Sequence, residues 1–224
     1  MAVSEFPTDW SRALVLVAHP DDPEYGMAAA VAKWTAEGRH VSYALACRGE
    51  AGIEGMPPAE AGPLREREQR ASAAVVGVDD VEFWDFPDSR LHDTEELRAA
   101  ISNVIARKDP DVVLSLYGGD EWAPGMPNQR DHIEFAAAVE QAWDDLPSPP
   151  RWLFCNGPGT THAVDVDGFV QPAIDSLAEH RVYLEVLDPG TPVVEQARAQ
   201  VERTTGPIDG FPAAHATGFR LLRG

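Results

Sequence analysis

The apolar residues of this chain form short continuous runs that alternate with amphipathic stretches. A short run that is apolar throughout is typical of a strand buried on both faces. The pattern predicts strands over 13–18, 40–47, 81–86, 111–117 and 151–156. It predicts helices over 26–38, 64–78, 94–108, 131–143, 172–187 and 192–206, with long loops over 48–63 and 118–130. Strands that alternate with helices imply an α/β fold with a mostly parallel sheet covered on both faces.

The length and composition are those of one ordinary domain. The 224 residues are enough to bury a substantial core without disulfides or a structural metal. There is no internal repeat, low-complexity segment or Gly/Ser linker, and the prolines within 147–150 form too short a stretch to separate two domains. We therefore expect a single domain over 1–224.

The charge balance restricts the kind of partner. Against 37 acidic residues there are 18 basic ones, giving a net charge of −19, and the basic residues form no run that could follow a phosphate backbone. Nucleic acid and anionic membrane surfaces are therefore poor partners.

The two cysteines, Cys47 and Cys155, lie far apart, which suits a reducing compartment and argues against a zinc-thiolate site. No apolar leader or membrane-spanning run occurs, so the sequence predicts a soluble, cytoplasmic protein.

The first predicted strand leads into an unusual concentration of charge, "ALVLVAHPDDPEYG" at 13–26. In an open α/β sheet, residues that follow the carboxyl ends of the strands face one crevice. Pro20 restricts His19 to extended geometry, so that His19 and Asp22 can converge on one point with Asp21 between them. A catalytic zinc site commonly uses three protein ligands and leaves a position open for water. His132, in "RDH" at 130–132, is the best third ligand, and Asp131 beside it could orient an imidazole.

Both motifs have a simpler explanation, because aspartates are also common at capped turns and helix starts. The remaining histidines are expected at the surface or in the core; they are His40, His92, His162, His180 and His215. Trp122, in the loop after the fourth strand, is a candidate for stacking on a sugar ring.

Several of these stretches together resemble a known family. They are "AHPDDPE" (18–24), "RGEAG" (48–52), "REREQRASAAVVGV" (65–78), "DPDVVLSL" (109–116) and "RDH" (130–132). In this order and spacing the chain is similar to the LmbE-like, or PIG-L-like, zinc-dependent N-acetylglucosaminyl deacetylases, relatives of the mycothiol-pathway deacetylases. The resemblance spans most of 13–140 and implies a Rossmann-like three-layer sandwich, in agreement with the strand and helix pattern.

The resemblance also implies a site. Carried over by position, His19, Asp22 and His132 match the metal ligands and Asp21 matches the general base. The expected metal is Zn²⁺, with Fe²⁺ as an alternative that the same ligands accept. The implied reaction removes an N-acyl group, usually acetyl, from an N-acetylglucosamine-type conjugate. The partner is then a small molecule, and the oligomeric state stays open.

Two positions depart from the family pattern. Gln129 stands where the family commonly has a histidine, and a glutamine amide can donate a hydrogen bond to an oxyanion but cannot deliver a proton near neutral pH. Pro23 stands where many members have an acidic or aliphatic residue, although Glu24 keeps a nearby carboxylate. An impaired or metal-free relative that binds a sugar conjugate without cleaving it is therefore the alternative. A nucleotide-binding module is disfavoured, because no G-x-G-x-x-G follows the first strand and carboxylates repel a pyrophosphate.

Overall fold

A computed structural model describes residues 3–224; Met1 and Ala2, which the predicted domain includes, lie outside the described residues. The strands are β1 (Ser4–Glu5), β2 (Arg12–Val17), β3 (His40–Leu45), β4 (Asp80–Phe83), β5 (Val112–Leu116), β6 (Glu121–Ala123), β7 (Met126–Pro127), β8 (Trp152–Asn156), β9 (His162–Asp165) and β10 (Ala216–Arg223). The helices are α1 (Ala28–Ala36), α2 (Pro58–Val75), α3 (Glu95–Lys108), α4 (Arg130–Asp144), α5 (Val170–Ala178), α6 (Arg181–Leu187) and α7 (Val193–Thr204).

Eight of the strands form one twisted sheet in the order β1-β9-β10-β8-β5-β2-β3-β4. The five strands from β8 to β4 are parallel, and β10 is antiparallel to both of its neighbours. Right-handed crossovers place α1 and α2 on one face of the sheet and α3 and α4 on the other. Helix α5 packs against α1, α2 and α7, while α3 packs against α4. This arrangement is the predicted α/β fold with a mostly parallel sheet between two helical layers.

Strand β2 lies at the centre of the sheet, between β3 and β5. Five of its six residues are buried, because helices cover both faces. The chain runs outward from β2 to β3 and β4, and then returns to the other side of β2 to form β5. A crevice beyond β2 and β5 is therefore the topological switch point, where ligands bind in open α/β sheets.

The predicted loop over 48–63 is wrong in its second part, because α2 begins at Pro58. Pro58 occupies the first helical turn, where its missing N–H costs nothing. Pro63 removes a backbone hydrogen bond inside the helix, but the buried face formed by Ala61, Arg65 and Gln69 keeps the helix intact. Tertiary contacts thus override the local signal of Pro and Gly.

The predicted helix 172–187 is also wrong in one respect, because it is divided into α5 and α6 at His180. The apolar pattern continues through the break and does not reveal it. The pattern also missed the β6–β7 hairpin within 118–130 and the strands β9 and β10, whose sequences alternate poorly. No helix among the described residues combines the length and the apolar character that a membrane crossing requires.

Candidate active site

Three predicted ligands converge at the switch point. His19 and Asp22 lie in the turn after β2, and His132 is the third residue of α4. Each offers a ligand atom, and these atoms lie within 4.8 Å of one another. His132 Nε2 is 3.0 Å from Asp22 Oδ1, and His19 Nδ1 is 3.7 Å from Asp22 Oδ2. This geometry could hold a metal ion.

The hydrogen bonding of His132 fits such an ion. Both of its ring nitrogens are buried, and neither has an aligned hydrogen-bond partner among residues 3–224, although Nε2 is close to Asp22. Buried polar atoms normally find a partner, so this imidazole is one that a cation would satisfy. Two imidazoles and a carboxylate form a donor set that suits zinc or iron(II).

The second nitrogen of His19 is held by two carboxylates. Nε2 lies 3.1 Å from Asp131 Oδ2 and 3.3 Å from Asp88 Oδ1. Burial opposes the charged imidazole, but the hydrogen bonds to these carboxylates outweigh it and raise the pKa of His19 to about 10. The contacts orient the ring so that Nδ1 faces Asp22. Asp88 was not predicted; its only signal was its place just after the third strand.

The simpler capping interpretation does not describe Asp131. Its two oxygens contact His19 and the backbone N–H of Leu91, which donates to Oδ1 over 3.2 Å. The residue at the N-cap of α4 is Gln129, whose side chain makes no capping bond. Asp22 accepts the backbone N–H groups of Ala18 and His19 at 3.1 and 2.7 Å, which fixes its carboxylate while Oδ1 faces His132.

Asp21 lies beside this cluster in an unusual backbone conformation. Its φ is +82°, in the left-handed region that residues with a Cβ seldom adopt. Arg65 Nη2 donates to Asp21 Oδ1 over 3.1 Å, and both side chains are buried. Burial raises the pKa of Asp21 to about 6, although the Arg65 charge acts in the opposite direction. Asp21 is thus a carboxylate that gains a proton more readily than usual.

Arg65 also explains the glycines of "RGEAG". Its guanidinium donates to the carbonyl oxygens of Pro20 and Gly49, at 2.8 and 3.3 Å, and it stacks on the Tyr183 ring at 4.1 Å. A Cβ at Gly49 would lie 2.3 Å from Arg65 Nη1, and the φ of Gly49 is +65°. Only glycine therefore allows this close approach. These contacts make Arg65 a residue that shapes the site.

A cleft of about 700 Å³ opens onto the cluster. Its lining includes Asp21, His132, Gln129, Trp122, Tyr183 and Arg203. The Trp122 ring lies 6.4 Å from the His132 ring and 5.4 Å from that of Tyr117. Gln129 is exposed within the cleft. The predicted residues Asp21 and Gln129 therefore share one cleft with Asp22 and His132, two of the three possible metal ligands.

Comparison with known proteins places this site in a family. The model of the GlcNAc-PI de-N-acetylase (PIG-L) family matches residues 14–143, which is more than half of the chain. The chain belongs to this family. The matched part includes His19, Asp21, Asp22 and His132, so the predicted resemblance is confirmed.

Two relatives and one solved structure illustrate the similarity. A diacetylchitobiose deacetylase of Thermococcus kodakarensis is 31% identical over 150 residues, which are 65% of this chain and 55% of that protein. The 1D-myo-inositol 2-acetamido-2-deoxy-α-D-glucopyranoside deacetylase of Streptomyces griseus is 39% identical over 169 residues, 63% of this chain and 50% of that protein. The chain thus spans about half the length of these curated relatives.

The solved N,N′-diacetylchitobiose deacetylase of Pyrococcus horikoshii superposes with a TM-score of 0.79 at 19% identity, covering 96% of this chain and 84% of that one. At this identity the likeness supports the fold alone.

Proposed function

We propose that this family member is a metal-dependent hydrolase that removes an N-acyl group, most simply acetyl, from an N-acetylglucosamine-type amino sugar conjugate. The observation that carries the proposal is the convergence of His19, Asp22 and His132 on one point, where Asp22 and His132 line an open cleft together with Asp21. Membership in the GlcNAc-PI de-N-acetylase family supports the reaction class. The two relatives described above are named a diacetylchitobiose deacetylase and a 2-acetamido-2-deoxy-α-D-glucopyranoside deacetylase, which supports the substrate class.

The metal would be held by His19 Nδ1, a carboxylate oxygen of Asp22 and a ring nitrogen of His132. When bound, a zinc ion supplies a Lewis acid that polarises a carbonyl oxygen and makes water more acidic. Zn²⁺ is our proposal for the metal, with Fe²⁺ as the alternative.

Asp21 is the proposed general base. Arg65 holds Oδ1, so that Oδ2 accepts a proton from the water that attacks the acetyl carbon. As the C–N bond breaks, Asp21 returns this proton to the departing nitrogen, and the products are the free amine and acetic acid, which releases its remaining proton to solvent as acetate. A carboxyl can accept the proton in the first step and return it in the second when its pKa lies near the working pH.

Gln129 and Trp122 are proposed to act on the substrate rather than on the metal. The Gln129 amide would donate a hydrogen bond to the carbonyl oxygen as it becomes negative. The Trp122 ring, at the side of the cleft, would stack on the sugar. Asp21 then supplies the proton transfer that glutamine at position 129 cannot.

The test combines metal content with product release. The protein would be stripped with chelator and reloaded with zinc, and bound metal would be measured together with acetate released from N,N′-diacetylchitobiose and N-acetylglucosamine. We expect about one zinc per chain, loss of that zinc in His132→Ala, and retained zinc without turnover in Asp21→Ala. His215→Ala, a surface histidine that contacts Asp167, is the matched control and should behave as wild type.

Three results would contradict different parts of the proposal. Absence of bound zinc in the wild type would remove its basis. Bound zinc without acetate release from any N-acetylated amino sugar would favour the alternative, a relative that binds a sugar conjugate without cleaving it. Near-normal turnover in Asp21→Ala would refute the assignment of the general base.

A further inference from the structure

A group of buried polar side chains lies behind Asp21, on the side away from the possible metal ligands. It consists of Gln69 on α2, Glu24 in the turn after β2 and His180 at the break between α5 and α6. Their exposed fractions are 0%, 1% and 0%. Nothing in the proposed mechanism uses them, and polar groups as deeply buried as these are costly unless they are paired.

The group contacts Asp21 through the backbone. The N–H of Asp21 donates to Gln69 Oε1 over 2.7 Å, and the Asp21 carbonyl oxygen accepts the N–H groups of Glu24 and Tyr25 at 2.9 and 3.1 Å. Gln69 therefore supplies the only partner of the Asp21 N–H among the described residues. Both backbone polar groups of Asp21 are satisfied while its φ is +82°.

The orientation of the Gln69 amide is determined by its two neighbours. Its Nε2 donates to Glu24 Oε1 over 3.0 Å, while Oε1 faces the Asp21 N–H. A backbone N–H can only donate, so the Gln69 amide must present Oε1 to Asp21, and a rotated amide would lose this bond. His180 Nε2 lies 3.4 Å from Glu24 Oε2, close to the far side of that carboxylate but without an aligned hydrogen bond.

The break between α5 and α6 brings His180 to this position. At the same break the N–H of Val182 donates to Glu68 Oε1 over 2.7 Å. Arg65, Glu68 and Gln69 are spaced at i, i+3 and i+4, so that one face of α2 contacts both the Asp21 turn and the start of α6. The interrupted helix and the left-handed turn thus meet on the same helix face.

We propose that Gln69 is a positioning residue that keeps the Asp21 backbone in its left-handed conformation and so keeps the carboxylate directed into the cleft. Glu24, with His180 beside it, holds the Gln69 amide in the orientation that this requires. In the absence of the Gln69 hydrogen bond, the backbone at Asp21 returns to negative φ and the carboxylate leaves its place beside Arg65. The catalytic part of this inference rests on the proposed function, whereas the conformational part does not.

The test uses Gln69→Met, which keeps the length of the side chain but removes both hydrogen bonds. Ser72→Ala is the matched control, because Ser72 lies one turn further along α2, is also completely buried and forms its hydrogen bonds with Ser176, away from Asp21. Crystal structures of the two variants give the φ of residue 21. Zinc content, kcat and KM are measured with N,N′-diacetylchitobiose.

We expect Gln69→Met to lose kcat by about 10-fold or more, with KM and zinc content unchanged, as is usual when a supporting hydrogen bond is removed. Its Asp21 should adopt negative φ, while Ser72→Ala keeps both the wild-type kcat and the positive φ. The double variant Gln69→Glu with Glu24→Gln, which exchanges the two side chains and preserves the contact, should recover kcat over Gln69→Glu alone.

Positive φ at Asp21 in Gln69→Met, or a kcat equal to that of Ser72→Ala, would overturn the inference. If the wild type released no acetate from any probe, the proposed function would fail, and the φ of Asp21 in Gln69→Met would still decide the conformational part. If Gln69→Met did not fold, the pair of exchange variants would decide it, because failure of the double variant to recover the positive φ refutes the role of Gln69.

Discussion

Replacing Arg65 by methionine should lower the free energy of unfolding of the metal-free protein. The size of this loss is limited because Asp21 can take up a proton when its cationic partner is removed. Arg65 is 3% exposed and donates to Asp21 Oδ1 and to the carbonyl oxygens of Pro20 and Gly49. Without it, the buried carboxylate has lost its cationic partner, and two carbonyl groups have lost a donor. Breaking a buried ion pair in this way typically costs about 3–5 kcal/mol.

The cost can be divided among these contacts. The pKa of Asp21 is about 6 in the folded protein, whereas an unperturbed aspartate, which represents the unfolded chain, has a pKa of 3.8. The raised pKa of Asp21 therefore already lowers the free energy of unfolding of the wild type by about 3 kcal/mol at pH 7. In Arg65→Met the Asp21 carboxylate can take up a proton, so the destabilisation that arises at Asp21 cannot exceed about 4 kcal/mol at pH 7. Asp21 thus adds only about 1 kcal/mol to the effect of the substitution. Each carbonyl adds about 1 kcal/mol or somewhat more, for a total of about 3–4 kcal/mol.

The sign of the pH dependence follows from the same values. A carboxyl with a raised folded pKa weakens folding once the pH exceeds its unfolded pKa, and the loss is complete above the folded pKa. At pH 5 Asp21 is largely protonated in the folded wild type and variant alike, so the difference between them should narrow by about 1 kcal/mol relative to pH 7. The difference that remains belongs to the carbonyl contacts.

Urea unfolding in the presence of chelator, followed by circular dichroism, measures these differences. Arg70→Met is the control on the same helix; its guanidinium is half exposed and pairs with Glu66, so its loss should cost less than about 1 kcal/mol. The decisive variant combines Arg65→Met with Asp21→Asn. It should be more stable at pH 7 than Arg65→Met alone by about 1–3 kcal/mol, because the amide is neutral without having to take up a proton on folding. A double variant less stable than the single one would refute the reasoning.

Three further outcomes are expected. Zinc binding to the metal-free protein should release about one proton at pH 7.5, because the pKa of His19 is about 10 before the metal binds. Calorimetry in buffers of different ionisation enthalpy measures the number of protons released, and a number near zero would contradict the raised pKa of His19. Trp122→Ala should raise KM for N,N′-diacetylchitobiose by roughly 2- to 12-fold with little change in kcat, and an unchanged KM would exclude stacking. Gln129→Leu and Gln129→Glu should both lower kcat by about 10-fold or more in steady-state assays, because neither side chain can donate a hydrogen bond near neutral pH. Full activity of Gln129→Glu would exclude the role of Gln129 as a hydrogen-bond donor.

The parts of the fold that were predicted correctly are those where local pattern and tertiary environment agree. The apolar run at 13–18 predicted β2 because a central strand of a parallel sheet is buried on both faces. The pattern at 172–187 failed because helical periodicity continues across the break at His180. At that break His180 lies close to Glu24 and the N–H of Val182 donates to Glu68, and both glutamates lie far away in the sequence.

The sequence by itself determined the α/β class, the charged turn after the first strand and the residues that match the family at His19, Asp21, Asp22 and His132. These features can be predicted from short stretches of sequence, because the periodicity of a strand and the residues of a tight turn lie within a few positions of one another. Their proposed roles stay predictions until metal content and turnover are measured.

Only the tertiary structure decided which groups surround those residues. Asp131 contacts His19 across 112 residues of chain, and the contact between Gln69 and Asp21 spans 48. Such contacts depend on crossover handedness, helix register and the position of a helix break, which no local pattern encodes. The left-handed backbone of Asp21 and its raised pKa arise from that packing, because burial and neighbouring charges act through space rather than along the chain.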